Sequence, residues 1–386
     1  MKAELVENLI LAHCSKNELQ FSDALNKLAS DEEKKGNTPT ASRLRRAYEM
    51  KEKGENAARG FTPSISSMFE NSSTDIVNAA PRDKDSLLEL YEIVRSNISF
   101  ADVILPQNQT GIVKQIISEQ KNAVNLIKHN MMPVNRVLLC GPPGCGKTMT
   151  AYAIGHELNL PIAYVRLDGL VSSYLGQTST NLRKVFDSVL NQRIILFLDE
   201  FDAIAKKRDD SNELGELKRV VTTLLQNFDN MPANVLLIAA TNHEHLLDPA
   251  IWRRFNVTIT LELPNEKQRQ SMIQKSLNKY NIDSMINVKT IAKVSDGISG
   301  AQIDEIMNAA AKKYLINGEI KTSDITAIMV QQKTKYSDSG TETMKTICEM
   351  LDRGVSLRTA AEAMGISHST LEYQVKKYRG ELANGE

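Results

Sequence analysis

The stretch that most constrains this chain is 136–148, where a short apolar run leads directly into a glycine-rich turn and a helix start. Within it, Gly141, Gly146, Lys147 and Thr148 fit the spacing G-x-x-x-x-G-K-[ST]. Glycines let the backbone form a nest of N–H donors, and the N-terminus of the helix adds positive potential where a polyphosphate binds. The pattern predicts a phosphate-binding loop, and a glycine-rich surface turn is the alternative.

Two side chains of this loop have separate predicted roles. Lys147 is placed to contact the terminal phosphates, and the Thr148 hydroxyl is a predicted ligand of Mg²⁺. The backbone of the whole turn completes the site. The predicted nucleotide-binding residues are Gly141, Pro142, Pro143, Gly144, Cys145, Gly146, Lys147, Thr148 and Met149.

Apolar runs alternate with helical stretches beyond the loop. Such alternation is typical of an α/β fold, in which helices cover both faces of a parallel sheet. Ligands of these sheets bind at the carboxyl ends of the strands, so the residues after each strand are the candidates for chemistry. The strands are predicted at 136–140, 162–167, 193–198, 234–239 and 257–262.

Changes in composition divide the chain into six predicted segments. Helical spacing dominates both ends, and stretches rich in Gly, Pro, Ser and Asn separate the segments. Helical spacing also recurs at Leu87, Leu88, Leu90 and Tyr91. The segments are a helical docking module (1–55), a linker (56–85), the α/β core (86–264), a helical lid (265–330), a second linker (331–342) and a C-terminal helical unit (343–386).

Charge and cysteine content argue against a protein that binds DNA through its overall charge and against a cysteine-ligated zinc protein. The 47 basic and 47 acidic residues cancel, so DNA contact would need a local patch. The four cysteines lack zinc-ligand spacing and are predicted to be reduced thiols. Because no apolar stretch is long enough to cross a bilayer and no signal-peptide pattern is present, we expect a cytoplasmic protein without membrane contact.

Polar residues follow two of the predicted strands. Two adjacent carboxylates, Asp199 and Glu200, are costly to hold together without a cation, which favours a metal site over a capped turn. We expect Asp199 to hold Mg²⁺ through water and Glu200 to polarise the attacking water. Asn242 follows the next strand, and an amide there can sense the γ-phosphate and position water beside Glu200.

Arg253 and Arg254 precede Phe255, beside the last predicted strand. They are interpreted either as a surface patch or as fingers that reach the phosphate of a neighbouring subunit.

These motifs follow one another as in the AAA family of ATPases, which the chain resembles over roughly residues 100–330. The resemblance implies a P-loop NTPase fold, ATP and Mg²⁺ as cofactors, and a homo-oligomeric ring, usually a hexamer, with nucleotide between protomers. Gly300 and Ala301 match the lid residues that contact adenine or ribose through the backbone in that family. The family's Arg-Pro-Gly-Arg-Phe is shortened here, and we favour Arg254 as the finger, with Arg253 assisting.

Residues 168–178 resemble the pore-loop segment of protein-threading AAA proteins. In that segment an aromatic-aliphatic-Gly triplet grips polypeptide, and Tyr174, Leu175 and Gly176 occupy its positions. A buried tyrosine that caps a helix is the alternative. The triplet makes protein the expected substrate.

The C-terminal unit has the spacing of a helix-turn-helix, with short helices predicted at 344–351, 357–364 and 369–378. Ala361 permits close helix crossing, Gly365 makes the turn and Leu371 fills the core. The turn resembles the DNA-binding ends of recombinases and resolvases, and a helical tail that packs on the ring or binds protein is the alternative. The predicted DNA contacts are His368, Ser369, Thr370, Tyr373, Lys376, Lys377 and Arg379.

The leading hypothesis is a ring that remodels or threads protein. The architecture is also similar to bacterial stand-alone AAA ATPases encoded beside a subtilisin-like serine protease in defence modules against phage or mobile DNA, in which case a partner would supply proteolysis. One alternative is a DNA-bound ATPase that acts as a loader or transposition-type regulator. Another is a ring that signals through ATP-dependent assembly and moves no substrate.

Overall fold

The computed structural model describes residues 24–25, 27–31, 80–83, 89–167, 175–205, 214–282, 286–334 and 340–383. The chain forms two compact units, Met1–Ser67 and Met68–Glu386. In the first unit the described residues are helical, with Ala24, Leu25, Leu28 and Ala29 buried. The helix predicted there is confirmed at these residues, and the rest of the 1–55 module lies outside the described ones.

A six-stranded sheet forms the centre of the second unit. Its strands stand in the order β1-β3-β4-β5-β2-β6, and all neighbouring pairs are parallel except β1 with β3. The α/β prediction is confirmed, and the five predicted strands begin and end within two residues of the observed ones. The strands are β1 (Glu92–Val94), β2 (Arg136–Cys140), β3 (Ile162–Arg166), β4 (Ile194–Asp199), β5 (Val235–Thr241) and β6 (Val257–Thr260).

The edge strand β1 corrects one prediction. Helical spacing was expected around Leu90 and Tyr91, but these residues form a bend that leads into β1. Both side chains are buried in the apolar cluster on one face of the sheet. A short run of apolar residues that is buried beneath a sheet edge has the same spacing as one turn of an amphipathic helix, so periodicity alone did not distinguish them. Leu87 and Leu88 lie outside the described residues.

Helices cover both faces of the sheet because each of its inner strands is apolar on both sides. Helices α4 and α6 pack on one face, and α1 and α3 pack on the other. The core helices are α1 (Gln107–Lys121), α2 (Ala123–Lys128), α3 (Lys147–Leu158), α4 (Leu175–Val189), α5 (Asp202–Ala205), α6 (Leu214–Asp229) and α7 (Pro249–Trp252).

Beyond Pro264 the described chain is helical, as predicted for the lid. The segment expected to be a second linker is partly helical instead, because α11 continues to Thr334 and α12 begins at Gly340. The lid helices are α8 (Glu266–Lys279), α9 (Val288–Val294), α10 (Gly300–Asn317) and α11, which spans Thr322–Thr334. The last three helices are α12 (Gly340–Asp352), α13 (Leu357–Met364) and α14 (His368–Ala383).

One apolar cluster joins the lid to these last three helices. It runs from Ile273 of α8 to Leu371 and Val375 of α14, and α11 packs directly against α13. Gly365 ends α13 in the left-handed conformation with φ of 67°, as its predicted place in a turn requires. Ala361 and Leu371 are buried, as their predicted packing roles demand.

Within the described part of the chain, no helix combines the length and the hydropathy that crossing a bilayer requires. Cys140, Cys145 and Cys348 are free thiols, in agreement with the prediction, while Cys14 lies outside the described residues. Burial raises the pKa of the Cys140 and Cys145 thiols, that of Cys140 to about 12, so both stay protonated at neutral pH.

Candidate active site

A cleft of about 710 Å³ lies between the carboxyl ends of the strands and the lid. Its volume falls within the range of small-molecule sites in proteins. Twelve residues that were predicted from the sequence to bind nucleotide, metal or water line it together. They are Pro143, Gly144, Cys145, Gly146, Lys147, Thr148, Met149, Asp199, Glu200, Asn242, Gly300 and Ala301.

The loop between β2 and α3 depends on glycine at two positions. Gly141 has φ of 135°, and a Cβ there would lie 1.9 Å from the carbonyl oxygen of Leu261. Gly144 has φ of 76°, and its Cβ would lie 2.6 Å from the Ser299 hydroxyl of the lid. Glycine therefore lets the loop run close to β6 on one side and close to the lid on the other.

The backbone of this loop has unused hydrogen-bond donors. Within the described structure, the N–H groups of Gly144, Cys145 and Gly146 donate no hydrogen bond, and they precede the N-terminus of α3. The Lys147 ammonium donates to the carbonyl oxygens of Gly141 at 2.7 Å and Pro142 at 2.9 Å. Burial lowers the pKa of Lys147, so a nearby anion would stabilise its charged form. These features fit a bound polyphosphate.

The lid reaches the loop through the start of α10. Ser299 caps this helix, and the backbone N–H of Ala301 donates to the Gly144 carbonyl oxygen at 3.1 Å. Gly300 lies against Met272 of α8, which lines the same cleft. The two lid residues predicted from the resemblance therefore lie directly above the phosphate-binding loop.

Asp199, at the end of β4, faces the Thr148 hydroxyl across the cleft floor. Its Oδ2 accepts a hydrogen bond from Thr148 Oγ1 at 3.4 Å and another from the Tyr164 hydroxyl at 3.1 Å. One hydroxyl and one carboxylate suit Mg²⁺, which keeps several waters and takes its other ligands from nucleotide phosphates. The residues present therefore fit the metal, which would neutralise charge on the β- and γ-phosphates.

A tight turn places Glu200 at the cleft. Glu200 has φ of 53°, in the left-handed region that non-glycine residues rarely adopt. Its N–H donates to Asp199 Oδ1 at 3.0 Å, and the following N–H, of Phe201, donates to the Ala240 carbonyl oxygen of β5 at 2.8 Å. Phe201 is fully buried, so its packing fixes the turn and leaves the Glu200 carboxylate exposed to the cleft.

Asn242 stands beside this turn at the end of β5. The hydroxyl of the preceding Thr241 donates to Asp202 at 2.8 Å and accepts from the His243 N–H at 3.0 Å. These bonds tie the end of β5 to the start of α5, which follows Glu200. Glu200 and Asn242 therefore line one cleft, where a water held by the amide could be polarised by the carboxylate.

The two arginines differ sharply within one chain. Arg254 makes two hydrogen bonds of 3.1 Å with the Asp229 carboxylate and a third, of 3.0 Å, to the Ala250 carbonyl oxygen. The guanidinium of Arg253 is exposed and makes no hydrogen bond or ion pair in the described structure. Neither arginine lines the cleft of its own chain. Arg254 is therefore held by contacts within its own chain, whereas Arg253 makes none in the described structure, and the choice of Arg254 as the finger stays a prediction.

The remaining predicted residues lie elsewhere. Gly141 and Pro142 do not line the cleft, and their carbonyl oxygens accept hydrogen bonds from the Lys147 ammonium. Tyr174 lies outside the described residues, and Leu175 and Gly176 begin α4. The seven predicted DNA contacts are all exposed on α14, although Lys376 pairs with Glu372 and Arg379 with Asp352.

One wall of the cleft was not predicted from the sequence. It is formed by Ile98 and the segment 102–106 before α1, opposite lid residues that include Lys275 and Tyr280. Lys275 of α8 bonds to Asp102 at 2.7 Å across this wall. The apolar run at 103–105 was the available signal, but it shows neither helical nor alternating spacing. Tyr164 was also missed, because a tyrosine inside a strand normally indicates packing.

Comparison with known proteins agrees with this geometry. A model of the ATPase family associated with various cellular activities (AAA) matches residues 137–263. The AAA family ATPase y4kL of Sinorhizobium fredii is 34% identical over 316 residues, which cover 82% of this chain and 90% of that protein. A proteasome-activating nucleotidase of Saccharolobus solfataricus is 30% identical over 292 residues, or 73% of this chain and 74% of that one. Another, from Saccharolobus islandicus, is 28% identical over the same length.

Proposed function

This chain belongs to the AAA family of ATPases and hydrolyses ATP with Mg²⁺, and on that premise we propose that it is a ring-forming motor that unfolds or threads protein. The observation that carries the proposal is the similarity to proteasome-activating nucleotidases, which extends beyond the core into the lid. The name of those relatives links them to a protein-degrading machine. By analogy, a partner protease would degrade what this motor unfolds, and the motor would work in the cytoplasm.

The two arginines support a ring. A guanidinium stabilises phosphate charge when it approaches the nucleotide, yet Arg253 lies outside the cleft of its own chain. A neighbouring copy would bring its Arg253 to the nucleotide of this one, while Arg254 would hold the turn in place through Asp229. Six copies are our proposed number.

The test is ATP-dependent unfolding of a tagged fluorescent protein, measured as the loss of its fluorescence. We expect the wild type to unfold it, Glu200→Gln to bind ATP and hold the substrate without release, and Tyr174→Ala to hydrolyse ATP without unfolding. The Glu200→Gln complex would then be analysed for co-purifying substrates and for a serine protease from a defence module. If Tyr174→Ala unfolds the substrate as fast as the wild type, threading past this residue is wrong.

We propose DNA-bound regulation as the second candidate, and the exposure of α14 favours it. His368, Tyr373 and Lys377 all lie on the solvent side of this helix, and Tyr373 is 69% exposed. A six-fold ring would strengthen weak contacts through effective concentration. The pairing of Lys376 with Glu372 weighs against strong phosphate binding by that residue.

Duplex DNA binding, measured by fluorescence anisotropy at several salt concentrations, tests this second candidate. Lys377→Ala should weaken binding for all sequences and reduce the salt dependence, since each phosphate contact releases counterions. Lys312→Ala, on the lid, is the matched control for loss of one exposed lysine. If the anisotropy of fluorescent duplex DNA does not rise when wild-type protein is added at low salt, this function is excluded.

A further inference from the structure

We propose that Tyr164 is a positioning residue for the magnesium-binding carboxylate of Asp199. This role belongs to the ATP site and does not depend on protein unfolding. The Tyr164 hydroxyl donates a hydrogen bond of 3.1 Å to Asp199 Oδ2.

Strand register explains how the two residues meet. Tyr164 of β3 pairs with Phe197 of β4, and Arg166 pairs with Asp199. Side chains two residues apart on a strand share a face, so Tyr164 lies diagonally from Asp199 on the face that α3 covers. At that diagonal separation a long aromatic side chain can reach the carboxylate, which a short one could not.

The ring of Tyr164 is held in place by its neighbours. It lies 5.6 Å from the ring of Phe197 and 6.4 Å from that of Tyr152, measured between centroids. Tyr152 comes from α3, the helix that directly follows the phosphate-binding loop. The hydroxyl is therefore aimed by packing between the sheet and this helix, with little freedom left to lose when it bonds to Asp199.

Three donors converge on the Asp199 carboxylate. Oδ1 accepts from the Glu200 N–H at 3.0 Å, whereas Oδ2 accepts from both Thr148 and Tyr164. If the Thr148 oxygen served as a ligand of the metal, the Tyr164 hydroxyl and the Glu200 N–H would remain as donors to the carboxylate. Outer groups that orient a ligand in this way commonly change metal affinity when they are removed.

The experiment compares nucleotide affinity with and without metal in the full chain. A fluorescent, non-hydrolysable ATP analogue is titrated against wild type and Tyr164→Phe, first with Mg²⁺ and then with EDTA. Because a hydrogen bond to a charged group commonly corresponds to about tenfold or more in an equilibrium constant, Tyr164→Phe should reduce the Mg²⁺-dependent gain in affinity by about tenfold. Affinity in EDTA should stay within about twofold of wild type.

Tyr152→Phe is the matched control. It removes a hydroxyl from the same aromatic cluster, and in the described structure that hydroxyl makes no hydrogen bond. We expect its Mg²⁺-dependent gain to equal that of the wild type. The proposal is overturned if Tyr164→Phe keeps the full gain, or if it loses the same affinity in EDTA as in Mg²⁺, because Tyr164 would then support the fold and not the carboxylate.

Discussion

The two sides of the nucleotide cleft are built in different ways. On the core side, a sheet between two apolar clusters carries Lys147 at the start of α3, and Asp199 and Glu200 at the end of β4. On the lid side, one apolar cluster runs through the lid and on into α14. The core therefore supplies fixed chemistry, whereas the lid and the last three helices form one packed body. Whatever binds α14 therefore binds the body that forms the lid side of the cleft.

Polar contacts reinforce this continuity at the junction of core and lid, near Pro264. Arg269 of α8 is buried and donates to the Pro264 carbonyl oxygen at 2.7 Å, and it also pairs with Asp296 at 3.1 Å. Asp296 pairs in turn with Arg353 of α12 at 3.3 Å. A chain of charges thus links the C-terminal helices to the residue at which the core ends and the lid begins.

The largest effect is expected from the core side. If Arg253 is the finger, as proposed, Arg253→Ala should lower kcat for ATP by about 10³-fold, because a guanidinium that stabilises transition-state charge would be lost. Arg254→Ala is the companion variant. It should reduce thermal stability, since Asp229 loses its partner. Steady-state ATPase assays and thermal unfolding measure both. Full activity in Arg253→Ala would return the finger role to Arg254.

The single packed body is tested by Leu371→Ala. Because Leu371 is fully buried, its replacement by alanine should lower the unfolding free energy by about 2–5 kcal/mol, through lost burial and a cavity. Hydrogen exchange should rise at Met329 and Val330 in the lid as well as in α14, because all three residues share one cluster. Tyr373→Ala, two residues away on the exposed face, is the control. Faster exchange confined to α12–α14 would mean that the lid and the C-terminal helices unfold separately.

A smaller effect is expected at the junction of core and lid. Asp296→Ala leaves the buried Arg269 with its two carbonyl acceptors but without its carboxylate, which should cost about 1–2 kcal/mol after allowance for the half-exposed aspartate. Chemical denaturation measures this cost. Arg358→Ala removes an exposed pair with Glu362 and should change stability by less than about 0.5 kcal/mol. If the two variants lowered the unfolding free energy equally, the ion pair of Asp296 with Arg269 would contribute no more than an exposed surface pair.

The smallest effect concerns the contact between Asp102 and Lys275, which joins the two sides of the cleft. The Lys275 hydrogen bond, together with those of Ser99, lowers the pKa of Asp102 to about 2. Because the folded pKa lies below the unfolded one, the contribution is present above about pH 4 and is lost as pH falls through about 2.

Asp102→Asn should therefore destabilise by a few tenths of a kcal/mol, equally at pH 7 and pH 5, since this surface pair is screened by solvent. Denaturation at both pH values, with and without 1 M salt, is the measurement. A difference that disappears between pH 7 and pH 5 would contradict the assigned pKa.

The sequence singled out residues that the fold brings to one cleft more readily than it predicted the elements around them. Residues 143–149, Asp199, Glu200 and Asn242 could be singled out because phosphate and metal chemistry need particular residue types at strand ends, and their roles there stay predictions. Segment 102–106 and β1 were not found, because short apolar runs look alike in strands, bends and helices. Which of the two arginines is hydrogen-bonded within its own chain could not be predicted either, since it depends on Asp229, 25 residues from Arg254 in the chain.

By itself, the sequence determined that this chain folds around a phosphate-binding loop on a parallel sheet, because glycine, lysine and threonine at that spacing serve a local backbone geometry. Tertiary structure alone decided which donors reach Asp199, which arginine is left uncommitted, and that the last three helices share their core with the lid. Those outcomes depend on contacts between residues far apart in the chain, and no local pattern encodes them.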